Sequence, residues 1–94
     1  CVIIGQNEEV LSVGYNGFPR GALEEPIRWE RPEKYNWVEH AERNAIYNAV
    51  RNGVCLEFGR LYSTLFPCGD CAKAIVQSGI TEVVTYPSDR EEFV

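Results

Sequence analysis

The chain has 94 residues, enough for one domain at most and near the lower end for a self-sufficient hydrophobic core. Its 45% hydrophobic and 24% charged content excludes a disordered chain, and a formal net charge of −5 argues against a surface built to neutralise the many phosphates of a nucleic-acid polymer. No apolar run approaches the roughly 20 residues needed to span a bilayer and no signal peptide is present, so the expected compartment is the cytoplasm.

The chain opens at Cys1 in an apolar run and closes at Val94 after an acidic stretch, and so reads as the central part of a longer domain, with residues 1–94 as a single unit. Val2 to Ile4 and Val10 to Tyr15 are β-rich runs separated by Gly5-Gln6-Asn7-Glu8-Glu9, a turn cluster suited to an antiparallel hairpin. From Phe18 to Asn36 there is no clean period, and Pro19, Pro26 and Pro32 interrupt a mixture of basic and acidic residues. That length exceeds the usual connection and predicts a functional loop or interface segment.

A helical pattern starts around Glu39, with Ala41, Ala45, Ile46, Ala49 and Val50 at three- and four-residue spacing and a stop at Asn52-Gly53. His40 and Glu42 then fall in its first turn. Leu61 to Phe66 reads as a strand, Pro67 ends it, and Cys68 and Cys71 open a second helix that runs to Ser78-Gly79. Glu82 to Tyr86 forms a last strand before Pro87. The predicted order is β-β-α-β-α-β.

Four cysteines allow two disulfides, but Cys68 and Cys71 beside a distant histidine read better as a metal site in a reducing compartment, with Cys1 and Cys55 as free structural thiols. Thiolates near the positive end of a helix dipole have lowered pKa and are ready to bind metal. Cys68 and Cys71, about one turn apart, share a helix face, and His40 completes a ligand set if two helix N-termini meet on one face of a sheet. Zn²⁺ held by one imidazole and two thiolates keeps a fourth position for water, whose pKa falls to about 7. Glu42 is placed to move that water's protons. By itself C-x-x-C is more often a structural zinc site; His40-Ala41-Glu42 and Pro67 reverse the balance, because His40 is the only histidine and Cys55 follows a helix stop.

H-x-E with P-C-x-x-C is the known signature of zinc nucleobase deaminases. The chain resembles the cytidine and deoxycytidylate deaminase superfamily, and the deoxycytidylate (dCMP) deaminases most of all. The resemblance is carried by Gly14-Tyr15-Asn16-Gly17-Phe18-Pro19-Arg20-Gly21, His40-Ala41-Glu42-Arg43-Asn44-Ala45-Ile46, Leu65-Phe66-Pro67-Cys68-Gly69-Asp70-Cys71-Ala72-Lys73 and Gln77-Ser78-Gly79-Ile80. It implies a three-layer α/β/α sandwich around a mixed sheet, incomplete at both ends, with His40, Cys68 and Cys71 on zinc and Glu42 as proton shuttle. It implies hydrolysis of dCMP to dUMP and ammonia by zinc-bound hydroxide, and a hydrogen bond from Asn16 to the nucleotide. From its residues alone Asn16 also suits a turn.

Arg20 is the candidate for the 5′-phosphate, since a guanidinium recognises that group bidentately, and Arg43 is a weaker one. Tyr15, Phe18, Phe66 and Tyr86 lie at strand ends, where aromatic residues serve either the core or a wall against a base. Relatives that act on tRNA adenosine have Glu where this chain has Phe66, and free cytidine deaminases have Cys where it has His40. The loop from Gly21 to Asn36 lacks the Cys or His of the second zinc site found in some members. The partners implied are a small nucleotide and further copies of the chain, since members form dimers or hexamers, some regulated by dCTP and dTTP. Two alternatives stay open: another deaminase of the superfamily, or a non-catalytic zinc-stabilised nucleotide-binding module.

Overall fold

The structure, a computed structural model, describes residues 1–18, 21, 23, 25–31, 34 and 38–86. In chain order its elements are β1 (Val2–Ile4), β2 (Val10–Val13), a 3-10 helix (Pro26–Trp29), α1 (Ala41–Asn52), β3 (Arg60–Ser63), α2 (Gly69–Gln77) and β4 (Glu82–Thr85). The β-β-α-β-α-β order is the one expected. The strands form one mixed sheet in the order β2-β1-β3-β4. β1 pairs antiparallel with β2 and β3, and β3 runs parallel to β4. A parallel pair needs a crossover, which α2 supplies.

Alternation along the central strands sends Ile3 and its cross-strand partner Leu61 to one face, where both are fully buried. They pack under Ala45, Ile46 and Ala49 of α1, Ile75 of α2, and Leu56 and Ile80 from the connections. Removing each large aliphatic side chain from water contributes about 1.5–3 kcal/mol, which holds the helical layer on the sheet. α1 packs against β2, β3 and α2, so the two helices lie side by side on this face. None of the described helices is long and apolar enough to cross a membrane.

The hairpin turn forms where expected, with Gly5 N–H donating to Glu9 O at 2.8 Å and Glu8 at a positive φ of 64°. α1 ends at Gly53, which takes the left-handed conformation at φ 68°, while Val54 N–H closes onto Ala49 O at 2.9 Å.

Several boundaries differ from expectation. β2 stops at Val13 rather than Tyr15, since Tyr15 O accepts from Asn44 Nδ2 at 2.8 Å and Gly17 pairs with Glu39. β3 stops at Ser63 rather than Phe66, where the chain turns to wall a cavity. His40 and Cys68 each lie one residue before their helices, in extended N-cap positions, and not within the first turn.

Candidate metal centre and active site

Two helix starts meet at the site. His40 caps α1 with ψ 151° and Cys68 caps α2 with ψ 171°, so both side chains leave the helix axis just where unpaired N–H groups concentrate positive potential. Cys68 Sγ accepts the Cys71 N–H at 3.5 Å. From His40 Nδ1, Cys68 Sγ lies 3.5 Å away and Cys71 Sγ 3.3 Å. All three ligand atoms fall within 4.8 Å of one another.

These distances test the fit to zinc. Tetrahedral Zn²⁺ with sulfur at about 2.3 Å and nitrogen at about 2.0–2.1 Å sets S and N ligands roughly 3.6 Å apart. The two nitrogen–sulfur separations need adjustments of only about 0.3 Å or less, so the donor set suits the ion in number and type and in the distances from the imidazole to both sulfurs. Burial, with the neighbouring Cys68 sulfur next in importance, pushes the Cys71 thiol up to about 12. In the metal-free chain that sulfur keeps its proton, and a divalent cation is what would offset the cost of its charge.

Glu42 sits in the first turn of α1 and is the only buried charged side chain among the described residues, at 7% exposure. Its Oε1 accepts from Ser63 Oγ at 2.8 Å. Glu39, three residues before it, is in ion-pair contact with Arg43 Nε at 2.6 Å. Burial works against the Arg43 charge, yet Glu39 and the sulfurs of Cys71 and Cys68 hold its pKa above the ordinary guanidinium value. Arg43 thus lies beside Glu39 and near the cluster's sulfurs, and it is not among the residues that line the cavity.

A cavity of about 540 Å³ opens over the cluster, of a size that suits a small ligand. His40, Glu42, Ser63, Phe66, Cys68 and Asn16 are among the residues on its wall. Asn16 reaches it because the chain after β2 is stitched to α1. Ser12 Oγ donates to Ala45 O, Asn48 Nδ2 to Val13 O, and Asn16 Oδ1 accepts the Ala41 N–H at 2.8 Å.

The four strongest site residues of the sequence are therefore brought together: His40, Cys68 and Cys71 form the cluster, and His40, Glu42 and Cys68 share the cavity wall with Asn16. Arg20 lies outside the described residues. Of the aromatic candidates, Phe66 and Tyr86 line the cavity, Phe18 stacks on Trp29 with centroids 4.8 Å apart, and Tyr15 is exposed. Cys55 is an exposed thiol and not a core one, because it lies in the connection after α1, while Cys1 borders the cavity. Ser63 escaped sequence reasoning. Its signal was present, since period two puts it on the same strand face as buried Leu61.

A mixed sheet that presents a His-Cys-Cys cluster and a buried carboxylate at two helix starts defines the metal-site class of nucleobase deaminases. The family model described as cytidine and deoxycytidylate deaminase zinc-binding region matches residues 1–87, and the chain belongs to that family. It is 42% identical over 101 residues to a probable deoxycytidylate deaminase of Drosophila melanogaster, covering 96% of this chain and 48% of the relative. With the deoxycytidylate deaminase of Homo sapiens it shares 38% identity over 96 residues, or 96% of this chain and 52% of that one. It thus spans about half the length of these curated relatives.

The fold superposes on the crystal structure of the dCMP deaminase from cyanophage S-TIM5 in apo form with a TM-score of 0.74 at 28% identity, covering 95% of this chain and 65% of that one. The same enzyme in complex with dCMP and dUMP matches with a TM-score of 0.72 at 30% identity over 89% and 61% of the two chains.

Proposed function

We propose that this chain carries the active centre of a zinc-dependent hydrolase that converts dCMP and water to dUMP and ammonia. The observation that carries the proposal is the pairing of a three-ligand cluster with one buried carboxylate, two residues from its histidine, where His40, Cys68 and Glu42 line a single cavity and Cys71 lies buried behind them. His40, Cys68 and Cys71 would hold the zinc, which when bound supplies the Lewis acidity that makes a water nucleophilic near neutral pH.

Glu42 is the residue that moves protons. Its carboxylate takes one from the attacking water and delivers it to N3 of the cytosine ring, so that C4 becomes electrophilic. After oxygen bonds to C4, Glu42 carries the second proton to the amino nitrogen, the C4–N bond breaks, and ammonia leaves. One carboxylate serves first as base and then as acid. Asn16 spends its Oδ1 on the helix start and has its amide N–H groups left as donors toward a bound nucleotide. Phe66 and Tyr86 offer apolar wall to the base.

Several observations favour dCMP within the family: the named deoxycytidylate deaminase relatives, the neighbour solved with dCMP and dUMP, and Phe66 before Pro67-Cys68. Arg20 is proposed for the 5′-phosphate from its chemistry alone. A cytoplasmic, reducing setting suits the four free thiols of this chain. A homo-oligomer is part of the proposal, with Tyr47, Val50 and Val76 leaving apolar side chains on the outer helix faces.

The test is a panel of dCMP, CMP, deoxycytidine and adenosine in tRNA, followed by ammonia release. dCMP is expected to have the highest kcat/KM, and preference for an unphosphorylated nucleoside would overturn the assignment. Glu42→Gln should lower kcat by about 10²–10⁴-fold while zinc content persists. Turnover that survives this change would remove Glu42 from the mechanism.

A further inference from the structure

We propose that Ser63 is a positioning residue for Glu42, holding one carboxylate oxygen so that the other is presented to the substrate. The proposal rests on the deaminase function given above, and it concerns a side chain which that function does not use.

Glu42 is buried beside the metal cluster, and among the described residues Ser63 is the one side chain that hydrogen-bonds to it. An ionised carboxylate only accepts, so the Ser63 hydroxyl is the donor, and a bond of 2.8 Å to a charged oxygen is of the stronger, charge-assisted kind. The two partners differ in freedom. Glu42 hangs from a helix start by three rotatable bonds, whereas Ser63 has a single χ angle and sits on β3, where it pairs with Thr85 of β4. The rigid partner therefore sets the orientation of the flexible one.

This orientation matters because the proposed reaction asks one carboxylate to reach two nitrogens in turn. With Oε1 engaged by Ser63, Oε2 is the atom left to pass between N3 and the departing amine. Without the hydroxyl the carboxylate can rotate and exchange its oxygens, so productive alignment becomes a fraction of the population. The effect falls on the chemical step and not on nucleotide binding, since nothing in this geometry asks Ser63 to touch the substrate. Misplacement of reacting groups by about 1 Å is enough to cost on the order of a hundredfold.

Thr and Val have nearly the same shape and differ by the hydroxyl, so comparing Ser63→Thr with Ser63→Val in the full-length zinc-loaded protein cancels the strain of the added carbons. Ser63→Thr should keep kcat within about threefold of the parent, and Ser63→Val should lose about tenfold to a hundredfold, with KM for dCMP unchanged in both. Equal kcat in the two variants would overturn the proposal, as would a loss expressed in KM.

A second measurement needs no turnover. Ser63→Ala should lower the melting temperature in the parent, where it strands a buried carboxylate, and should lower it less in a Glu42→Ala background. Equal shifts in both backgrounds would show that the two side chains are uncoupled and would overturn the proposal independently. If the parent deaminates none of the panel, the proposed function fails while this thermal coupling still decides whether Ser63 holds Glu42.

Discussion

Asn16 Oδ1 accepts the backbone N–H of Ala41 at 2.8 Å, which makes a loop residue the capping group of the helix that carries Glu42. His40 occupies the N-cap position but makes no side-chain cap bond of its own, because its ring is turned to the sulfurs of Cys68 and Cys71. A ring turned to those sulfurs cannot also cap the helix. Asn16 fills the gap from the chain after β2, and the same side chain thereby acquires its place on the cavity wall.

Asn16 therefore has separable halves. Asn16→Asp retains the capping oxygen and should melt close to the parent, yet it replaces the amide donor with a negative charge in a cavity proposed to take a phosphate ester. KM for dCMP should rise at least about tenfold, the equivalent of roughly 1.4 kcal/mol. Asn16→Ala loses both halves and should also cost about 0.5–2 kcal/mol of stability. Thermal melts and steady-state kinetics on the two variants separate the roles, and an unchanged KM in Asn16→Asp would remove Asn16 from substrate binding.

The seam between the loop and α1 depends on how closely the backbones approach. A Cβ placed on Gly14 would lie 2.4 Å from Ala41 O and from Ala45 N, both backbone atoms of α1 that cannot swing away. Gly14→Ala should destabilise by about 3 kcal/mol. Gly69 is the contrast, since a Cβ there meets nothing within 4 Å and its position is the first of α2. Gly69→Ala should stabilise by about 0.4–1 kcal/mol by restricting the unfolded chain. Chemical denaturation of both variants checks the pair.

Much of this arrangement was legible in the sequence, and the exceptions share a cause. Periodicity placed the strands and helices because Ile3, Leu61, Ala45, Ile46 and Ile75 face one core. His40, Glu42, Cys68 and Cys71 were legible because metal chemistry restricts residue type and spacing together. The strand end at Tyr15 was misplaced because its carbonyl bonds to Asn44 on another element, and the end at Phe66 because residues 64–66 line the cavity instead of continuing the ladder; neither leaves a local period. The pairing of Ser63 with Glu42 and the capping role of Asn16 were hidden for the same reason, as both act on α1 from distant chain positions.

The proposed zinc should be structural as well as chemical, since the residues proposed to hold it join the starts of α1 and α2. Chelation is expected to lower the melting temperature, and added zinc to restore it, because an ion that binds only the folded chain stabilises it by mass action. Cys71→Ser removes a fully buried sulfur and should drop zinc content well below one per chain by elemental analysis. A parent protein that melts identically with and without chelator would show that the two helix starts hold together unaided.

Phe66 offers a test of the base wall that stability effects do not confuse. Its side chain is 59% exposed although it lines the cavity, so the core gains little from it. It also precedes Pro67 and Cys68, which fixes its place beside the His-Cys-Cys cluster. Phe66→Ala should leave the melting temperature within about 2 °C, as expected of a surface change below about 0.5 kcal/mol. KM for dCMP should nevertheless rise severalfold, because the pyrimidine loses an apolar surface to lie against while Glu42 and the ligand set stay in place. Were stability to fall and KM to stay constant, Phe66 would be a packing residue and the base would have to rest elsewhere, with Tyr86 on the same cavity the next residue to replace.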